Sequence, residues 1–306
     1  MMKRNALLII MTCICVVLAV SMMQCTVADK GAADKSAADQ SVADKAVKPA
    51  RANFVPSPEF SPPYPPLPHH FGKTHGIMIL CQAPKGAIQR ALARPLEPVG
   101  DADLFVLMMG WSPECEGYNV HEIAINAPVK WNDKTGNTTL IEYIDSDMGL
   151  ITGREVWGWP KKMADIVWTQ TATGWTVTAN KLKDQNSIPL MKVEYKISQS
   201  NPEVKWPEMG PTYLVKRIPN ASPTVPPLTQ LVCVGCNLPP RGASPAMPPA
   251  AKGTKGTATV QFFDGPHDPL TFFGPVKVLD AKMSISEGST TDGGLGLGEV
   301  VSQWEE

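Results

Sequence analysis

The sequence predicts a mainly β fold of the α+β class, and three observations predict it. The segments rich in large apolar residues are short and bounded by turn residues. Proline and glycine are frequent, 30 and 24 of 306 residues, which suits many turns better than long helices. Only two stretches have the length and pattern of helices. Many strands with few helices argue for an antiparallel β-barrel, closed or partly closed, with short α-helical extensions.

The elements follow in order from near Phe71. Gly76 to Cys81 reads as a strand, and Pro84 to Ala93 as a helix. Leu104 to Trp111, Tyr118 to Trp131 and Thr139 to Ile144 are further strands, the last two joined through the turn signal Lys134-Thr135-Gly136-Asn137. Met148 to Val156 reads as a short helix stopped by Pro160. Ile166 to Thr171 and Trp175 to Lys181 flank Ala172-Thr173-Gly174, a hairpin signature. Val193 to Ile197, Tyr213 to Ile218, Gln230 to Leu238, Ala258 to Phe263 and Val276 to Ile285 complete the strands.

With 43% hydrophobic and 19% charged residues, the chain can build one sizeable core plus extensions. The net charge of -1, from 28 basic and 29 acidic residues, leaves no electrostatic footprint for nucleic acid or an anionic membrane surface. Lys3 and Arg4 precede an apolar run from Ala6 to Val20, which reads as a secretory leader over residues 1–28 with cleavage after Ala28. Gln24 before Cys25 makes a poor lipoprotein box, yet the cysteine keeps lipidation open; export is expected, with the protein periplasmic, secreted or membrane-tethered through its N-terminus by a lipid or an uncleaved anchor. Residues 29–55 form a spacer whose Asp29, Asp34, Asp39 and Asp44 recur every five positions; five is off the helical period, so no apolar face forms. Residues 56–70 are proline-rich and read as an ordered arm lying on the domain of residues 71–304, with a polyproline ligand as the competing reading. A homo-oligomer is expected.

Three of seven cysteines belong to the leader. Cys233-Val234-Gly235-Cys236 is a lone pair within an apolar run, without a second pair or a histidine cluster, and reads as ordinary strand cysteines rather than zinc ligands. Five scattered histidines have no metal-ligand spacing, so no metal is expected. Gly293 to Gly298 lacks a nucleotide-binding frame and reads as a flexible segment. Asn137 and Asn220 open glycosylation sequons.

Chemistry concentrates in Gly153-Arg154-Glu155-Val156-Trp157-Gly158-Trp159-Pro160-Lys161-Lys162. A free lysine amine is a nucleophile, yet only roughly 0.04% is unprotonated at pH 7. Burial disfavours the ammonium, and so does a neighbouring cation. Trp157, Trp159 and Met163 offer an apolar wall for Lys161, and Lys162 offers the second charge. In extended chain the two lysines point to opposite faces, so desolvation is expected to act on Lys161 more strongly than Lys162 does. His121 and Glu122 likewise face opposite ways on their strand, and Glu122 is read as the inward one.

This segment is similar to the active-site segment of the acetoacetate decarboxylase family, in which Gly-Arg-Glu leads into Pro-Lys-Lys. Tyr118 to Glu122 and the apolar strand after it resemble the family's tyrosine and glutamate. Tyr213 to Asn220 is similar to its "YMLKIIPN" segment, and Gly256 to Phe263 with Asp268-Pro269-Leu270 resemble a late strand and loop. The order and spacing hold over about residues 60–304. The resemblance implies that Lys161 is the Schiff-base lysine, Lys162 its neighbour and Glu122 an acidic pocket residue, with no cofactor. Lysine activation by burial or by a second cation is the behaviour described for acetoacetate decarboxylase itself.

Two family positions do not carry over. The family's pocket arginine falls near Thr74 and a second family glutamate near Leu107. The implied ligand is a small keto acid or carbonyl compound, and the implied reaction is decarboxylation through an iminium. Relatives that perform aldol condensation and dehydration with the same lysine leave that chemistry open, and a module that binds without turnover is the third reading.

Overall fold

The computed structural model describes residues 56–66, 69–100, 102–183, 186–198, 204–236, 253–286, 289–290 and 298–305. The expected leader and spacer lie outside these residues, as does most of the glycine run. Thirteen strands carry the body: β1 (Thr74–Gln82), β2 (Leu104–Cys115), β3 (Tyr118–Trp131), β4 (Lys134–Ile144), β5 (Lys161–Met163), β6 (Asp165–Gln170), β7 (Gly174–Lys183), β8 (Asn186–Ile197), β9 (Thr212–Ile218), β10 (Leu228–Val234), β11 (Thr254–Phe262), β12 (Lys277–Ser286) and β13 (Glu299–Trp304). The helices are short, α1 (Ala87–Ala91) and α2 (Asp147–Thr152), the latter continuing as a π turn over Gly153–Trp157.

The main path of the sheet runs β13-β10-β9-β4-β3-β2-β1-β12-β11-β8-β7-β6. Its pairings are antiparallel except for a single parallel bridge between β9 and β4. Laid flat, β2 and β6 would be about 29 Å apart at the usual strand spacing. Yet Trp111 of β2 and Trp168 of β6 bring their ring centroids to 6.2 Å, and Phe105 of β2 meets Phe262 of β11 at 6.4 Å. The sheet therefore wraps on itself. Among the described residues no ladder joins its two ends.

Strand alternation decides what lies inside the wrap. Ile77 and Ile79 of β1, Phe105, Leu107 and Met109 of β2, Ile123 and Ile125 of β3 and Tyr143 of β4 share one face, and they join Val177, Val193 and Tyr195 in the largest core. The other face of β2, β3 and β4 carries a smaller cluster of Tyr64, Cys115, Val120, Ile144 and Met148. Tyr64 comes from the proline-rich arm, is 5% exposed, and donates to Glu155 at 3.2 Å. This part of the arm lies on the domain.

Several boundaries differ from the sequence reading. The helix expected over Pro84 to Ala93 shrinks to five residues, started by Gly86 at φ 76 and held by the Asp103 carboxylate, which accepts from Gly86 N and Ile88 N. Lys134 to Asn137 is strand, because the turn is made one step earlier by Asn132 at φ 53. Asn137 is buried and donates to the Gly210 carbonyl, so a glycan there is incompatible with the fold, whereas Asn220 is exposed. Cys233 and Cys236 are joined in a disulfide, which corrects the reading of them as ordinary strand cysteines. Cys81 and Cys115 are free and buried.

Candidate active site

Lys161 opens β5, a three-residue strand laid parallel to β4 with Lys161 opposite Glu142 and Met163 opposite Ile144. On β3, Glu122 pairs with Ile144 and Ala124 with Glu142. Glu142, Ile144 and Glu122 thus share Lys161's face, the one opposite the largest core.

The approach to β5 is fixed by local sequence. Ser146 caps α2 by accepting from Gly149 N at 3.2 Å, and the helix loosens into the π turn. Gly158, at φ 86, ends it; a side chain there would also collide with Lys216 at 2.5 Å. Gly153 lies directly on the lysine stem, since a Cβ at this position would stand 2.6 Å from Lys161 Cε.

Lys161 Nζ is 2.9 Å from Glu142 Oε1 and 3.6 Å from Glu122 Oε2. The lysine and Glu142 side chains are only 10% and 6% exposed, against 47% for Glu122. Burial pulls the amine's pKa down, but the two carboxylates push it up by more, so it stands above the ordinary lysine value. Burial drives Glu142 up to about 7, with Lys161 opposing and Glu122 reinforcing the rise. The resting amine is therefore an ammonium in an ion pair, which corrects the expectation of a lowered pKa. Burial and Lys162 are visible in the local sequence; the carboxylate delivered by the neighbouring strand is not.

Lys162 turns to the opposite face, as alternation requires. Its ammonium forms an ion pair with Asp268 and donates to the His267 carbonyl at 2.7 Å. Asp268 also accepts from Tyr143 OH at 2.7 Å. Burial alone would raise the Asp268 pKa, but Lys162 and Tyr143 outweigh it and hold the carboxyl below its usual value. Lys162 is thus a brace between β5 and the Asp268 segment and does not flank the Lys161 amine.

The remaining sequence candidates scatter. Trp157 packs with Leu214, Val232 and Val234, and Trp159 lies against that same cluster, while Met163 is 40% exposed. None of the three supplies the wall expected for Lys161; the apolar cluster on its face is the one built from Tyr64, Cys115, Val120, Ile144 and Met148. Leu107 is fully buried in the largest core on the opposite face and is not a pocket residue of Lys161. Thr74 does lie on the lysine's face, bonded through Oγ1 to Ser112 Oγ at 2.9 Å. Glu122 reaches Lys161 from outside the main core, which corrects its reading as the inward residue. His121 is the one on the core side, with Nδ1 2.6 Å from Asp145 Oδ2 and its ring stacked on Trp111.

Glu142 is the site residue that sequence reasoning missed. Its signal is a single acid inside the apolar run Leu140-Ile141-Glu142-Tyr143-Ile144, where an unpaired charge would be costly and a partner is therefore implied.

The comparisons bear on the family and the fold. The family model described as "Acetoacetate decarboxylase (ADC)" matches residues 54–303. The chain is 27% identical over 182 residues to an acetoacetate decarboxylase of Clostridium botulinum, covering 58% of this chain and 72% of that protein. It is 30% identical over 109 residues to "Acetoacetate decarboxylase 3" of Mesorhizobium japonicum, a match spanning 35% of this chain and 42% of the relative's length. Among solved structures, one described as "Structural Studies of Acetoacetate Decarboxylase" shares the fold with a TM-score of 0.64 at 18% identity, covering 82% of this chain and 96% of the other. The enduracididine biosynthesis enzyme MppR, complexed with the condensation product of pyruvate and imidazole 4-carboxaldehyde, shares it at 0.59 and 16% identity, covering 80% and 93%. On the match of the family model over most of its length, the chain belongs to the acetoacetate decarboxylase family.

Proposed function

We propose that this chain is a lyase that works through a Schiff base on Lys161 with a small keto acid or related ketone as substrate. The observation that carries the reading is the buried Lys161 amine, held 2.9 Å from a buried carboxylate in the segment that gives the family its likeness. The amine must shed a proton before it attacks, and the carboxylates of Glu142 and Glu122 are the acceptors within reach. Attack on the carbonyl carbon forms a carbinolamine. Protonation of its oxygen expels water and leaves an iminium that retains one proton on nitrogen. The iminium is an electron sink. For a β-keto acid, the bond to the carboxylate breaks, carbon dioxide leaves, and the electron pair becomes the enamine; protonation and hydrolysis then free the ketone and the lysine.

A second reading is aldol addition and dehydration from the same iminium. It is supported by the two carboxylates that flank the amine, since they are suited to moving protons, and by the likeness to an enzyme seen with a pyruvate condensation product. Borohydride trapping on Lys161, followed by product analysis with acetoacetate and with pyruvate plus an aldehyde, tests both. Absence of any adduct favours a binding module instead. The apolar leader supports export, which fractionation of the native cell tests, with recovery in the cytoplasm alone rejecting it; N-terminal mass analysis tests cleavage after Ala28, which an intact Met1 rejects.

A further inference from the structure

Glu142 differs from Glu122 in a way that bears on the carbon chemistry. Its Oε1 engages the Lys161 amine, while its Oε2 is buried and has no hydrogen-bond partner. Buried carboxylate oxygens are normally satisfied, so an open one beside a reactive amine is unusual. The Glu122 carboxyl is near enough to raise the Glu142 pKa by its charge and by a hydrogen bond that forms only when one of the two holds a proton. Glu122 itself is half exposed.

We propose that Glu142 is the catalytic base that removes a proton from the carbon next to the iminium carbon on Lys161. The proposal rests on the Schiff-base reading above. In such an iminium that carbon lies about 2.4 Å from the nitrogen, by ordinary bond lengths and angles. A carboxylate already 2.9 Å from Nζ can therefore reach its hydrogen with little movement. The carbon–hydrogen bond breaks and its electrons form the carbon–carbon double bond. The iminium π pair returns to nitrogen, and the proton lands on Glu142. A cation and an anion become a neutral enamine and a neutral acid, a change that a dry site favours. The substrates it selects are ketones or keto acids with a hydrogen on the adjacent carbon.

The groups facing Glu142 are Lys161 of β5 and Glu122 of β3. The Cys115 thiol of β2 also feels both, and burial pushes it up to about 11, so it stays protonated through neutrality. Arg154 is spent on the Lys161 carbonyl, to which it donates at 3.2 Å. Glu142 itself, raised to about 7 by burial, is poised where a general base works best.

The test is deuterium exchange into the methyl groups of acetone and pyruvate in D2O by NMR, with borohydride trapping of the Lys161 adduct in parallel. In wild-type protein, exchange per trapped adduct should rise with pH about a midpoint near 7. Glu142→Gln should still trap an adduct while its exchange per adduct falls by roughly 100-fold or more, the usual size of a general-base effect. Unchanged exchange per adduct in Glu142→Gln would overturn the assignment and leave the Schiff base intact. If the variant does not fold or trap, the wild-type profile decides: exchange per adduct flat from about pH 5 to 9 overturns the role, because a base must ionise to act. No wild-type adduct with either ketone overturns the Schiff base and this role together.

Discussion

Glu142 reaches Lys161 because β5 runs parallel to β4 and places the two residues opposite each other, Oε1 to Nζ at 2.9 Å, on a face shared with Glu122. The lysine is thus kept charged at rest by its own strand neighbour. Removing one member of such a pair leaves a buried charge, which typically costs about 3–5 kcal/mol. Lys161→Met should therefore destabilise the fold strongly at pH 8. It should do so much less at pH 5, where Glu142, with its value raised to about 7, takes up a proton. Urea unfolding at the two pH values checks this; an equal loss at both would show that Glu142 is not buried as an anion beside the lysine.

The same residue sets a pH slope. Its folded pKa of about 7 lies above the ordinary 4.5, so the folded state holds the proton more tightly. Its contribution to stability is full below about 4.5 and is lost as pH rises through 7. Subtracting the stability-versus-pH curve of Glu142→Gln from that of the wild type should isolate this decline. A wild-type curve that gains relative to the variant over that window contradicts the raised value.

Lys162 is expected to matter for stability and little for the chemistry. Lys162→Met breaks its pair with the buried Asp268, and the loss should be about 2–4 kcal/mol, somewhat below that of a fully buried pair because the lysine side chain is 30% exposed. Asp268 is held below its usual value, so its own contribution is present at neutral pH and is lost as pH falls through its folded pKa. Lys162→Met should form the Lys161 adduct at near wild-type yield at 20 °C. Loss of the adduct in a folded variant would return Lys162 to the catalytic group.

Gly153→Ala tests how tightly the π turn seats the nucleophile. The new methyl would meet Lys161 Cε at 2.6 Å and Cδ at 2.7 Å, the far part of a flexible chain, so the lysine moves and the fold survives. Trapping should slow by at least about tenfold, as small misplacements of reacting groups do. Circular dichroism establishes folding, and wild-type trapping kinetics would show that the lysine tolerates the shift.

Much of the fold is legible in the sequence because strand periodicity is local. The strand expected over Tyr118 to Trp131 has both ends correct, and most other expected strands are one to several residues short. The late strand Glu299–Trp304 escapes, since Glu299 and Gln303 break its apolar pattern and its place is fixed by pairing with β10. The helix at Pro84 is overread because Gly86, at φ 76 and bonded to the Asp103 carboxylate, starts it late, and Leu92, with extended backbone, ends it early. Lys161 is legible from its segment. Its partner Glu142 is not, because a parallel pairing between residues 19 apart is a tertiary fact that no motif records. The opposite fates of Lys161 and Lys162 follow from alternation alone. The misplacement of Trp157, Trp159 and Leu107 shows that nearness in sequence does not choose which face a side chain shares.

Borohydride trapping is the most direct test of the central claim. The protein is incubated with acetoacetate, acetone or pyruvate, reduced, digested and examined by mass spectrometry. An adduct on the Lys161 peptide, absent from Lys161→Met, is the predicted result. No adduct with any of the three, or an adduct that persists on another lysine when Lys161 is replaced, would contradict it.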